Sequence, residues 1–174
     1  MPEIANRFTY LIPVFLLVSL FAILFIHGCK SESDSAGSQF ELIWERSFND
    51  LGTHSSPRAA SDLNGDGVMD IVLGAGMEEM ASTPLGIIAI SGASGDTLWT
   101  YPARDQVFGS PTFLDITQNG NDDIIISGRA GILIALEGST GSVIWEFLPN
   151  VSFDEARDRG IYNFYNPQII PDQN

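Results

Sequence analysis

The segment from Ser56-Pro57 to Trp99 recurs, with substitutions, from Ser110-Pro111 to Trp145, and this repeat limits what the chain can become more than any other feature. The first copy runs through Asp62-Leu-Asn-Gly-Asp-Gly-Val-Met-Asp70, Ile71-Val-Leu-Gly-Ala-Gly76, Gly86-Ile-Ile-Ala-Ile90 and Gly92-Ala-Ser-Gly-Asp-Thr-Leu-Trp99. The second answers with Asp115-Ile-Thr-Gln-Asn-Gly-Asn-Asp-Asp123, Ile124-Ile-Ile-Ser-Gly128, Gly131-Ile-Leu-Ile-Ala135 and Gly138-Ser-Thr-Gly-Ser-Val-Ile-Trp145. Each copy holds four short runs rich in Ile, Val, Leu, Phe and Trp, separated by Gly, Ser, Asn and Asp turns. That pattern predicts a four-stranded antiparallel unit. No stretch after residue 39 carries a helical apolar period with caps. The expected fold class is all-β.

Four-stranded repeats of about 40–50 residues are the arithmetic of β-propeller blades. A blade has two apolar faces and must stack on neighbours to bury both. The copies place blades at 56–103 and 110–148, within a partial propeller over 40–174. Leu42-Ile-Trp-Glu-Arg46 matches the last strand of each copy, Leu98-Trp-Thr-Tyr101 and Ile144-Trp-Glu-Phe147, and predicts an outer strand at 40–48. Residues 161–174 start a third copy, in which Asn166-Pro167 answers Ser-Pro and Asp172-Gln-Asn174 opens another acidic loop. A closed ring needs about four blades or more. Two leave it incomplete, so the chain is expected to be the front part of a longer protein.

The acidic loops carry the chemistry. In the first, Asp62, Asn64, Asp66 and Asp70 stand at positions 1, 3, 5 and 9, with the Val68 carbonyl available at position 7. Calcium takes six to eight oxygens in flexible geometry, which a tight loop of alternating oxygen side chains suits. Magnesium wants a stricter octahedron and retained water. An EF-hand needs a bidentate Glu at position 12, where this chain has Leu73 inside an apolar run. The loop resembles those of FG-GAP repeats, found in the integrin α-chain propeller and in many bacterial surface proteins. The resemblance implies a calcium ion held between the first two strands of a blade, in a structural role. The second loop offers Asp115, Thr117, Asn119, Asn121 (through its carbonyl) and Asp123. With only two carboxylates it is expected to bind more weakly. The bland alternative for either loop is an Asx-rich turn without an ion.

A second recurring piece is Ala89-Ile-Ser-Gly-Ala-Ser94-Gly95-Asp-Thr-Leu-Trp99, which returns as Ala135-Leu-Glu-Gly-Ser-Thr140-Gly141-Ser-Val-Ile-Trp145. It is similar to the tryptophan-docking motif of quinoprotein dehydrogenases, with Ser91 and Glu137 in place of the motif's Asp. The resemblance implies that Trp99 and Trp145 pack between blades. It does not imply catalysis, because no constellation of catalytic or quinone-binding residues accompanies it. His54 lies in a Gly-Thr-His-Ser-Ser turn, and the body of the chain offers no second histidine or cysteine for a zinc site. The insertion Pro149 to Tyr165 holds Arg157, Arg159 and four aromatics. It is read either as a recognition loop or as a connector tucked against the next blade.

Residues Phe8 to Ile26 form an apolar run ending in Ile26-His27-Gly28-Cys29, and the polar tract 30–39 follows. The junction resembles a bacterial lipobox, which makes Cys29, the only cysteine, an acyl acceptor. The alternative is an uncleaved signal-anchor helix with Arg7 on the cytoplasmic side. Residues 1–29 are thus a signal peptide or a hydrophobic helix, and 30–39 a flexible tether. Either way the body is expected to leave the cytoplasm, as an outer-membrane or cell-surface lipoprotein or as a helix-anchored protein. The 22 acidic and 8 basic residues give a formal charge of −14, which repels nucleic acid. The expected function is calcium-dependent binding or adhesion at the cell surface, to a protein or glycan. The rivals are the non-catalytic front of a propeller enzyme of quinoprotein type and an envelope assembly scaffold.

Overall fold

The computed structural model describes residues 41–49 and 51–171. The signal or anchor segment, Cys29, the tether 30–39 and Asp172 to Asn174 lie outside the described residues. Among the described residues no helix is long and apolar enough to cross a membrane.

The chain folds into two four-stranded antiparallel sheets, one per copy of the repeat. Sheet 1 contains β1 (Arg58–Ala59), β2 (Ile71–Gly74), β3 (Thr83–Ile90) and β4 (Thr97–Ala103), in that spatial order. Sheet 2 contains β5 (Thr112–Leu114), β6 (Asp123–Ser127), β7 (Leu133–Leu136) and β8 (Val143–Glu146), again in order. The registers coincide: Ile71 pairs Ile90 and Ala89 pairs Trp99 in sheet 1, while Ile124 pairs Leu136 and Ala135 pairs Trp145 in sheet 2. Such up-and-down connection puts the β1–β2 and β3–β4 turns at one end of a sheet. The β2–β3 loop and the exit from β4 lie at the other.

The two faces of each sheet explain why the central strands are apolar without interruption. Side chains alternate across a strand. Val72, Ile87 and Ala89 therefore face sheet 2, where Ile124, Ile126, Ile134 and Leu136 join them in one buried cluster. The opposite face of sheet 1 presents Leu73, Ile88 and Ile90, with half-buried Ile71, to Trp44, Phe48 and Leu51. By the repeat alignment, Ile71, Leu73, Ile88 and Ile90 are the counterparts of Ile124, Ile126, Ile134 and Leu136. Sheet 1 thus receives the 41–51 segment on the face with which sheet 2 receives sheet 1. Full burial of each such side chain contributes about 1.5–3 kcal/mol.

Polar contacts repeat the same stacking. The backbone N–H of Ser56 donates to Ser110 Oγ (3.1 Å), and that of Ser110 donates to Asn166 Oδ1 (2.9 Å). Ser61 and Asp122 clasp reciprocally: the Ser61 N–H donates to Asp122 Oδ2 and the Asp122 N–H to Ser61 Oγ, both at 2.9 Å.

The expected outer strand at 40–48 forms no ladder among the described residues, and neither does the start of the third copy. Residues 41–49 and 161–171 run without strand pairing, although Trp44 and Asn166 hold their repeat-equivalent contacts. A strand exists only through its partner, and the described residues supply none beside either segment. One helix was not expected: α1 (Phe153–Asp158) inside the insertion. It spans six residues, too few to show a period. Its start is nonetheless written in Ser152-Phe-Asp-Glu155, where Ser152 Oγ accepts the Glu155 N–H at 3.1 Å. Ala156 is fully buried, and Phe153 lies under the Arg104 guanidinium at 3.2 Å, so the helical part of the insertion packs down on the sheets while Tyr165 at its end stays exposed.

Candidate metal centre

The first acidic loop, between β1 and β2, winds around Asp62. Its Oδ1 accepts the N–H groups of Gly65 (2.7 Å) and Asp66 (3.1 Å), and its Oδ2 accepts that of Gly67 (2.7 Å). These donors, the Gly67 N–H foremost, hold the Asp62 carboxyl below the ordinary Asp range. Asn64 Oδ1 accepts the Asp66 N–H (2.9 Å), and Asp66 Oδ1 accepts the Val68 N–H (2.9 Å). Asn64, Asp66 and Val68 are exposed.

Asp70 behaves differently. It is fully buried, with Oδ2 accepting the Leu63 N–H (2.7 Å) and Oδ1 the Gly92 N–H (3.0 Å). It therefore ties the acidic loop to the β3–β4 turn. Its counterpart Asp123 does the same, accepting from Ile116 and Thr117 (both 2.8 Å) and from Gly138 (3.2 Å). A Cβ on Gly92 would run into the Met69 carbonyl, and one on Gly138 into that of Asp122, so each turn needs glycine at that point.

The structure thus brings Asp62, Asn64 and Asp66 together at the surface and sets Asp70 beneath them as an anchor. Among the described residues no three acidic, histidine or cysteine side chains group as a metal site. The donor chemistry still fits a hard cation. Every candidate is an oxygen, and a carboxylate oxygen has two lone pairs, so Asp70 can serve an N–H and an ion together. One Asp62 oxygen already takes two N–H groups, which leaves Oδ2 the more available of the pair.

In the second loop Asp115 accepts from Asn119 and Gly120 (both 3.0 Å), and Asn119 Oδ1 accepts the Asn121 N–H (2.8 Å). Counting within the loop misses a carboxylate that the fold brings in. Glu137, on the β7–β8 turn, receives Asn119 Nδ2 at 3.3 Å. Burial disfavours its ionised form, but hydrogen bonds from Thr140 and Ser139 outweigh that and leave its pKa below the ordinary Glu value. In the first copy the turn residue is Ser91, whose hydroxyl donates to Asp66 Oδ2 at 3.4 Å. The acid at this meeting point has changed sides between copies, from the loop to the turn. The signal was already visible in Ser91 and Glu137, which stand where the docking motif has Asp.

The same turns receive the tryptophans. The Trp99 indole N–H donates to the Gly138 carbonyl (2.7 Å), from sheet 1 to sheet 2. Trp44 donates to the Gly92 carbonyl (2.8 Å) in the identical way and is the docking residue that strand matching alone did not single out. Each ring lies against a turn glycine at positive φ, Gly141 (72°) under Trp99 and Gly95 (77°) under Trp44. A side chain there would strain the backbone and collide with the ring. Trp145 is 39% exposed and has no such acceptor among the described residues.

The sequence profile of the FG-GAP repeat matches residues 55–90, from the Ser-Pro entry through the first acidic loop to the end of β3. Over most of its length the chain is also similar to Protein FAM234A of mouse, at 28% identity over 157 residues, covering 78% of this chain and 27% of the relative. Protein FAM234B of mouse is 25% identical over 151 residues (79% and 23%), and that of chicken 24% over 140 residues (76% and 22%). The chain spans about a quarter of the length of these relatives. No solved structure matches it.

Proposed function

We propose that the chain is part of an exported β-propeller whose acidic loops hold calcium and whose surface binds a partner at the cell exterior. The observation that carries the reading is the repeated unit of acidic loop, buried Asp and docked tryptophan. Asp62, Asn64, Asp66 and Asp70, with the Val68 carbonyl, would ligate the first ion. Asp115, Thr117, Asn119, Asp123 and the Asn121 carbonyl would ligate the second. When bound, calcium supplies charge neutralisation to a crowded turn and so couples ion binding to folding. The protein residues do the rest: they preorganise the loop, anchor it and pass its position to the neighbouring sheet.

Two sheets stacked by one repeating operation support the propeller form, in which Trp145 would dock on the turn of a following blade. The rigid array of turns then offers loops for recognition, as propellers commonly do. The formal charge of −14 turns such a surface away from nucleic acid. Cells displaying the full-length protein are expected to adhere to an extracellular-matrix or mixed-glycan surface in calcium and to detach in chelator. Adhesion that ignores both the chelator and the paired Asp62→Ala, Asp66→Ala substitution would contradict the reading.

Export rests on the apolar run Phe8 to Ile26, and two chemistries would anchor the product there. If Cys29 carries the lipid, metabolic labelling with palmitate marks the wild type and Cys29→Ser loses the label. Labelling that persists in the variant removes Cys29 as the acyl acceptor, and membrane retention without any label assigns anchoring to the helix instead.

A further inference from the structure

At the end of the sheets opposite the acidic loops lies an open cleft of about 410 Å³. Its walls come from three successive copies of the repeat. His54, Phe108 and Tyr165 stand at the entries to the first, second and third copies, Glu79 and Arg129 on the equivalent β2–β3 and β6–β7 loops, and Gln106 after β4. The volume falls within the range of about 300–1,000 Å³ typical of small-ligand sites.

The lining is built rather than incidental. Arg129 spans the two sheets, with Nη1 3.0 Å from Glu79 Oε1 and Nε 3.8 Å from Asp105 Oδ1. Asp105 is 1% exposed, and its Oδ1 also accepts the N–H groups of Gln106 (2.7 Å) and Met80 (3.1 Å). Its buried Oδ2 has no hydrogen-bond partner. The guanidinium is therefore fixed in plane and its charge is matched by carboxylates, so the cleft holds no surplus positive charge for an anion. Beside it, the Phe108 and Tyr165 rings meet at 4.9 Å between centroids. Tyr165 is 72% exposed and offers a ring face to the cleft.

Planar donors and acceptors (Arg129, Glu79, Gln106) next to an exposed aromatic face are the chemistry that recognises a neutral sugar. Paired hydroxyls take the planar hydrogen bonds, and the C–H face of the pyranose takes the ring. A polyanionic ligand would meet the acidic chain and a neutralised arginine. We propose that this cleft binds a neutral saccharide unit. The proposal rests on the reading of the protein as a surface-binding module and names the ligand class of that module.

The test uses the full-length protein in calcium, with saturation-transfer NMR against glucose, galactose, mannose and N-acetylglucosamine. At least one sugar should show transfer that saturates, and Tyr165→Ala and Glu79→Gln should each weaken it by about tenfold. Both positions are exposed, so folding should survive, and an unchanged thermal transition in each variant confirms that. Transfer from none of the four sugars, or binding that both substitutions leave intact, overturns the assignment. So does competition by an acidic peptide in place of a sugar. A protein that adheres in calcium yet binds no sugar loses this cleft and keeps the broader reading. Sugar binding without calcium-dependent adhesion does the opposite.

Discussion

Replacing Trp99 by alanine is expected to destabilise the full-length protein by about 3 kcal/mol, read as a lower Tm and denaturant midpoint. The ring fills the junction between the sheets, packs on Gly141 and joins the cluster that contains Ile124, Ile134 and Leu136. Its N–H is also the partner of the buried Gly138 carbonyl. Trp99→Phe separates the two contributions. It keeps most of the apolar contact and loses the donor, so about 1 kcal/mol should be lost. If Trp99→Ala costs no more than a surface substitution, the indole is not a junction between sheets and the stacking described here is wrong.

Asp70→Ala is expected to cost a similar amount, about 3 kcal/mol, and to do so in chelator as well as in calcium. The substitution strands two N–H donors, those of Leu63 and Gly92, that now share one buried carboxylate. Each orphaned buried donor costs about 1–3 kcal/mol. Asp66→Ala should behave in the opposite manner. Asp66 is exposed, so its loss should leave calcium-free stability nearly unchanged and remove the gain that calcium gives. Equal losses from the two substitutions in chelator would erase the distinction between the buried anchor Asp70 and the exposed Asp66.

These contrasts mark how far the residues spoke for themselves. The four runs per copy, their order and the turn between the last two were legible, because each strand's apolar content and each Gly-rich turn are local properties. The meeting of Asp62, Asn64 and Asp66 in the first loop was legible for the same reason: alternation at positions 1, 3 and 5 is a local spacing. What lay hidden depended on contacts between segments distant in the chain. Asp70 reads as the ligand at position 9 from spacing, and only the approach of the β3–β4 turn reveals it as the acceptor for Gly92. Glu137 looks like a substitution in a turn motif, and only folding sets it beside Asn119. Trp44 matched the last strand of each copy, yet its strand pairing is missing while its docking is present. The indole contact needs a single turn, whereas a ladder needs a whole neighbouring strand. Helix α1 was missed because periodicity was sought where six residues can show only a cap.

Calcium binding by the first loop is the claim on which the rest depends, and isothermal titration of the chelator-stripped full-length protein measures it directly. Calcium is expected to give saturable heat, with one site fewer in Asp66→Ala, and magnesium at the same concentration should give little. No calcium heat, or the same number of sites in wild type and variant, would contradict the account.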